Sequence, residues 1–350
     1  MLFVDIEKSI GDFALKVCFE TNDAVLSLIG ISGSGKSMTL KCIAGLEKPD
    51  KGKIVLNDRV LFDSEKGINL SPKMRRVGYL FQQYALFPNM SVRQNVEVAL
   101  HHLPKNKRAA VTEEKLKEFH IKEIENKKSC ELSGGEQQRV ALARLIASDP
   151  EVLLLDEPFS ALDSYLKWQF LVDIKNTISQ FDKDVILVTH SVDEVLALTD
   201  KMCVLDCGKS EPVTDINDAL TSPRTVSTAK LFGCKNFSKV EVLSEEGIIA
   251  CQDWGINIKA CVPEMETGKA LIAGIFSQDI ELINCDEESD NCLLCTVSQV
   301  IKTEEGRKAI LKINGRKFEL CVDLPSCKTI DINESVKAYI KPEKLLLLEE

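Results

Sequence analysis

At 350 residues the chain is too long for one ordinary core, so two domains or more are expected, and 44% hydrophobic with 28% charged residues is the balance of a soluble globular protein. A net charge of −10 argues against nucleic acid as a partner, because such proteins usually carry a basic face or a high pI. No apolar run approaches the ~18 to 20 residues that a membrane-crossing helix needs.

The N-terminus, Met1-Leu2-Phe3-Val4-Asp5, has neither a basic start nor a cleavage site, so no signal peptide is expected. Any membrane association should then run through a partner, and a cytosolic chain is expected. The thirteen cysteines fit that compartment as small buried hydrophobes rather than a disulfide framework: Cys203 lies in an apolar strand, and Cys321 alternates with Leu320 and Val322. Cys292-Leu-Leu-Cys295 has CxxC spacing, yet no second pair and no nearby His complete a zinc set.

In chain order, Ala24–Gly30 predicts a strand, followed by a Gly-rich turn and a helix from about Lys36 to Gly45. The stretch from about Ser91 to Ala147 carries no convincing strand and reads as a helical insertion. Val152–Leu155 and Val185–Thr189 are continuous apolar runs, as suits strands buried on both faces of a mostly parallel sheet. Between them Ser164–Phe181 has helical spacing, with Leu166, Phe170, Leu171, Ile174 and Ile178 on one face. After about Thr221 the texture changes, and Thr221-Ser-Pro-Arg224 marks a hinge. Leu294–Ile301, Ala309–Ile313, Phe318–Val322 and Val336–Ile340 are short and alternating, the pattern of small antiparallel β units. The acidic Asp286-Glu-Glu-Ser-Asp290 is expected to divide two of them. The pattern is therefore an α/β core with a helical subdomain, then an all-β region of small barrels; with the phosphate-loop motif Gly30–Ser37 the core is expected to be a P-loop NTPase. The expected domains are 1–232 (helical part about 88–147), 233–290 and 291–350.

Gly30-Ile31-Ser32-Gly33-Ser34-Gly35-Lys36-Ser37 matches GxxxxGK[ST] between a strand and a helix. Glycines there let backbone N–H groups converge on phosphate oxygens, and the helix N-terminus favours their charge. Lys36 should reach the β- and γ-phosphates of ATP, and the Ser37 hydroxyl should ligate Mg²⁺. Asp156, ending the run Val-Leu-Leu-Leu, supplies the second oxygen for that metal. Glu157 follows at once and is placed to deprotonate an attacking water.

Leu132-Ser-Gly-Gly-Glu-Gln-Gln-Arg139 resembles the signature of the ABC transporter family. Asp156-Glu-Pro158, Ser160-Ala-Leu-Asp163 and Thr189-His190 follow in the family's order, with Phe81-Gln82 upstream. The resemblance implies a homodimer closing on two ATP molecules, in which Ser133, Gly134 and Gly135 serve the opposite copy's γ-phosphate. It further implies that Gln82 senses Mg²⁺ and the attacking water, that His190 contacts the γ-phosphate, and that Asp163 passes between subunits. The family usually stacks adenine on an aromatic residue near the N-terminus; Ser9-Ile-Gly-Asp12 has none, and Phe13 reads equally well as a strand residue.

Gly52–Gly78, Leu86-Phe-Pro88 and Gly233-Cys-Lys-Asn-Phe-Ser238 resemble ATPase subunits of molybdate importers. That likeness implies two membrane permease subunits, met near Phe87 and Pro88, and a periplasmic or extracellular oxyanion-binding protein. The last 60 or so residues resemble the family's Mop/TOBE-like β domain. Asp290 stands where a basic residue is common, and Gly274-Ile-Phe-Ser-Gln-Asp279 lacks the Arg and His usual in its box. Sulfate, thiosulfate, iron or polyamine import is the near alternative, and a non-transport ATPase or an oxyanion sensor the remote one.

Overall fold

Continuous and alternating apolar runs end up in different parts of one sheet. A computed structural model describes residues 1–22, 25–160, 164–243, 247–260, 271–283, 291–303, 306–325 and 330–349. They fall into two units, Met1–Ile216 and Asn217–Glu350.

In the first unit, Val152–Asp156 and Val185–Thr189 are buried at every position. Successive strand side chains point to opposite faces. Val152, Leu154, Ile186 and Val188 therefore enter one apolar cluster, while Leu153, Leu155, Val185 and Leu187 enter another. A sheet cored on both faces requires such uninterrupted runs. Phe13–Thr21 instead alternates inward and outward, and pairs antiparallel with Leu2–Ile10.

Val25–Ile29, Val185–Thr189, Val152–Asp156 and Val77–Leu80 lie side by side and parallel. The expected strand from Ala24 is thus seen from Val25, Ala24 lying outside the described residues. Their register pairs Ile29 with Thr189, Val188 with Asp156, and Leu155 with Leu80. Four carboxyl ends consequently share one edge of the sheet.

The stretch 91–147 forms the helices Val92–Glu97, Lys105–Glu118 and Gly134–Ala147 with short 3-10 turns between. They join the core through Val92, Val96, Leu116 and Val140. Ser164–Ser179 buries Phe170, Leu171, Ile174 and Ile178, as its spacing predicts, while the expected Leu166 side chain lies outside what is described. Among the described residues no helix is long and apolar enough to cross a membrane.

The second unit holds two five-stranded antiparallel sheets. Ile256–Lys259, Ile248–Cys251, Asn236–Val242, Leu271–Ile275 and Leu346–Glu349 make the first, in that order. The other runs Ile280–Ile283, Ser335–Ile340, Cys292–Thr303, Gly306–Ile313, Glu319–Leu324. Two strands cross the division expected at 290. Ile280–Ile283 pairs with Ser335–Ile340, and Leu346–Glu349 pairs with Leu271–Ile275. Residues of both sheets, including Ile249, Ile258, Val297 and Val322, fill one apolar cluster with Trp254 from a turn. Asn236, 2% exposed, fastens the sheets together. Its Nδ2 donates to the carbonyls of Ile275 (3.1 Å) and Cys321 (2.9 Å), and its Oδ1 accepts from the Cys321 N–H (2.7 Å).

Cys292 and Cys295 lie three residues apart on one strand, so their side chains leave opposite faces. Cys295 is wholly buried, and burial pushes its thiol up to about 12. The CxxC spacing here is strand packing.

The helix Lys36–Ala44 ends on an unusual cap. Arg75, fully buried, donates from Nη1 to the Cys42 and Ile43 carbonyls (2.8 Å each) and from Nε to Leu70 O (2.9 Å). A full positive charge thereby meets the negative end of the helix dipole. Gly45 closes the helix at φ 78°, and a β-carbon there would lie 2.5 Å from Arg75 Nε. The guanidinium cannot retreat without breaking those bonds. Gly45→Ala should therefore lower unfolding stability by about 2 kcal/mol or more, from the left-handed backbone and the displaced arginine. Urea denaturation followed through the first unit's transition would measure it.

Candidate functional site

The shared edge collects the predicted nucleotide residues. Val25–Ile29 runs into the loop Gly30–Ser37, which opens the helix beginning at Lys36. Gly35 sits at φ 104°, left-handed backbone that residues with a side chain rarely adopt, and a β-carbon there would come within 2.4 Å of Leu15 Cδ1. Ser34 and Lys36 are buried. The Lys36 ammonium donates to the carbonyls of Gly30 and Ile31 at 2.8 Å each, filling the interior of its own loop. Burial lowers its pKa, opposed by the Glu157 and Asp156 carboxylates. Ile31 is exposed, and Ser32 and Gly33 complete the turn at the surface.

Asp156 ends its strand with both carboxylate oxygens engaged. The Ser37 hydroxyl donates to Oδ1 at 2.7 Å, and the Tyr79 hydroxyl donates to Oδ2 at 2.7 Å. Burial, then the bond to Asp156, pushes the Tyr79 phenol well above its ordinary pKa, so it stays a donor. Ser37 and Asp156 form a hard, all-oxygen pair beside the phosphate loop. Magnesium fits it, since that ion takes one or two protein oxygens and completes its shell with water and phosphate.

Glu157 adopts φ 44°, uncommon for a residue with a side chain, and its N–H donates to Val188 O at 3.0 Å. His190, following the strand Val185–Thr189, brings Nδ1 to 3.6 Å from Glu157 Oε1. Gln82, just beyond Val77–Leu80, donates through Nε2 to Ser160 Oγ at 3.2 Å, and that hydroxyl donates to Glu157 O at 3.0 Å. Gln82, Ser160 and Glu157 are thus linked in one chain of contacts. Asp163 lies outside the described residues.

Ser133 caps the helix Gly134–Ala147 in a reciprocal box with Glu136. Its backbone N–H donates to Glu136 Oε2 at 2.7 Å, and that bond holds the carboxyl below its usual range. Gly134 and Gly135 then present first-turn N–H groups at a helix N-terminus. The same helix is tied to two other parts of the site. Gln138, wholly buried, donates to Pro158 O, and Arg144 donates to the Tyr84 (3.0 Å) and Ala85 (2.8 Å) carbonyls. Arg144 also lies over the ring of Phe87, which is 44% exposed. The segment carrying Phe87 is pinned by buried Asn95, whose Oδ1 accepts from the Phe87 N–H at 2.9 Å.

Ser160 and Gln138 lie within the quoted motifs but were given no contact of their own by sequence reasoning, and Tyr79, two residues before Phe81, was not singled out at all. Phe13, left undecided, puts its ring 3.2 Å from where a Gly35 β-carbon would stand.

Among families of known proteins, the ABC transporter model matches residues 16–160. The molybdenum import ATP-binding protein ModC of Paramagnetospirillum magneticum is 41% identical over 209 residues, 60% of this chain and 58% of that protein. In that comparison the match spans under two thirds of the relative's length. The ModC of Rhizobium johnstonii is 30% identical over 352 residues, covering 97% of this chain and 98% of its own. A spermidine/putrescine import ATP-binding protein, PotA of Oleidesulfovibrio alaskensis, is 38% identical over 61% of this chain and 56% of that protein. Among solved structures, a dimeric ATP-binding cassette in a post-hydrolysis state with ADP and Pi aligns at a TM-score of 0.52 and 28% identity, over 62% of this chain and 99% of that one. With the phosphate loop, carboxylates and signature helix arranged on this fold, and a relative alike from end to end, the chain belongs to the ABC transporter family of ATP-binding proteins.

Proposed function

We propose that this chain hydrolyses ATP as one of two identical copies that close on the nucleotide, and that the stroke drives import of molybdate or tungstate through two membrane permease subunits. An external oxyanion-binding protein would deliver the substrate, and the chain would sit peripherally on the cytoplasmic face of the membrane. The observation that carries the ATPase reading is the meeting of Lys36, Ser37, Gln82, Asp156, Glu157 and His190 at one sheet edge.

Each residue then has a physical task. Lys36 exchanges its loop carbonyls for phosphate oxygens, a trade that keeps a buried cation paired. Ser37 and Asp156 would hold Mg²⁺, which when bound neutralises charge on the phosphate oxygens. Glu157 accepts the proton of the water attacking the γ-phosphorus as the bond to the bridging oxygen breaks, leaving ADP and phosphate. Gln82 orients that water through the chain reaching Glu157, and His190 lends a hydrogen bond beside the same carboxylate. Ser133, Gly134 and Gly135 offer their donors to the γ-phosphate held by the other copy, and Asp163 would pass between the two.

Molybdate is favoured by the likeness that runs the length of both chains. The polyamine relative supports a second reading with the same ATPase chemistry.

Glu157→Gln should bind ATP with unchanged affinity and lose about 10²- to 10⁴-fold in turnover. Phosphate-release kinetics beside a nucleotide titration checks both halves, and hydrolysis at the original rate would remove Glu157 from the base role. In proteoliposomes holding the cognate permease, ATP turnover should rise with binding protein loaded with molybdate or tungstate and stay basal with sulfate or spermidine. Stimulation by spermidine alone would transfer the chain to the polyamine branch, and by sulfate alone to the sulfate branch.

A further inference from the structure

We propose that Tyr79 is a positioning residue for the metal–nucleotide site, acting through the Asp156 carboxylate. The inference rests on the reading that Asp156 holds Mg²⁺.

Asp156 is 7% exposed, so water can do little to fix its carboxylate. Two hydroxyls do so instead: Ser37 on Oδ1 and Tyr79 on Oδ2, both at 2.7 Å. The two differ in kind. Ser37 belongs to the phosphate loop, and its hydroxyl is the group that a bound metal would recruit. Tyr79 stands on the neighbouring parallel strand, whose register sets Tyr79 beside Leu154 and Leu80 beside Leu155. Its ring packs on Phe81 with centroids 4.4 Å apart, so the hydroxyl is aimed by a side chain with little freedom. If Ser37 and Asp156 held a metal, the phenol would keep Oδ2 occupied while Oδ1, released by Ser37, would be free to serve as a ligand.

A carboxylate held in one rotation loses less freedom on ligating a metal than one that must be ordered by it. The strand that carries this donor also leads directly to Gln82. The donor that holds the Asp156 carboxylate and the Gln82 amide are therefore carried by the same strand and its direct continuation.

The test is calorimetry of ADP binding to the full chain and to Tyr79→Phe, each in excess Mg²⁺ and in EDTA. Tyr79→Phe keeps the ring and its stack on Phe81 and removes only the donor. ADP affinity in EDTA should match the unsubstituted chain, which also reports that the variant is folded. Affinity in Mg²⁺ should fall roughly tenfold, as expected for one hydrogen bond to a charged group. Mn²⁺ bound with ADP, followed by its electron paramagnetic resonance, should weaken in parallel. Equal losses with and without metal would make Tyr79 a packing residue and overturn the proposal, as would no loss in either. If the unsubstituted chain gained nothing from Mg²⁺, the reading of Asp156 itself would fail, a result separate from any behaviour of Tyr79.

Discussion

Parallel strand register is the constraint on which the site depends. Four buried strands finish at one edge because Ile29 is level with Thr189, Val188 with Asp156, and Leu155 with Leu80. The register in turn is held by cores on both faces, since a slip of one residue would exchange every side chain between the two clusters. Sequence-distant motifs are thus brought together by packing rather than by their own attraction. Their charges then add a cost that the fold must absorb: a buried ammonium beside two carboxylates is stable only because carbonyls and hydroxyls occupy nearly every valence around it.

A second layer of contacts joins the parts that a closing dimer would have to coordinate. The helix capped by Ser133 holds Pro158 through Gln138 and the Tyr84–Ala85 backbone through Arg144. Tyr84 and Ala85 both have positive φ, so that segment is held in a strained shape by its partners. In the proposed cycle, a push on the helix N-terminus by a neighbour's nucleotide reaches the segment before Phe87 and the residue after Glu157 by the same rigid rod. That is a mechanical link built into one unit.

Much of this was legible from residue order alone. The phosphate loop, the all-buried strands and the helical insertion announced themselves because each depends on local chemistry: glycine spacing, uninterrupted aliphatics, or the 3.6 period. Tyr79 did not, because a tyrosine in an apolar strand looks like core until its hydroxyl is seen to meet a carboxylate across the sheet. Arg75 was unreadable for the opposite reason. A charged residue in Lys-Met-Arg-Arg looks like surface, yet it is wholly buried as the cap of a helix distant in sequence. The CxxC spacing of Cys292 and Cys295, set aside in the sequence for want of a second pair or a nearby His, lies along one strand.

The reciprocal strands of the second unit tell most about how such a region can come into being. Ile280–Ile283 belongs by sequence to one half and by hydrogen bonding to the other, while Leu346–Glu349 does the reverse. Neither half can be completed until the other has been synthesised. Pairings of this separation in the chain are slow to close, because loop entropy must be overcome before any contact rewards it. The pair must therefore fold, and be inherited, as one block, and gene rearrangements that shuffled a single half would deliver a sheet with a missing edge.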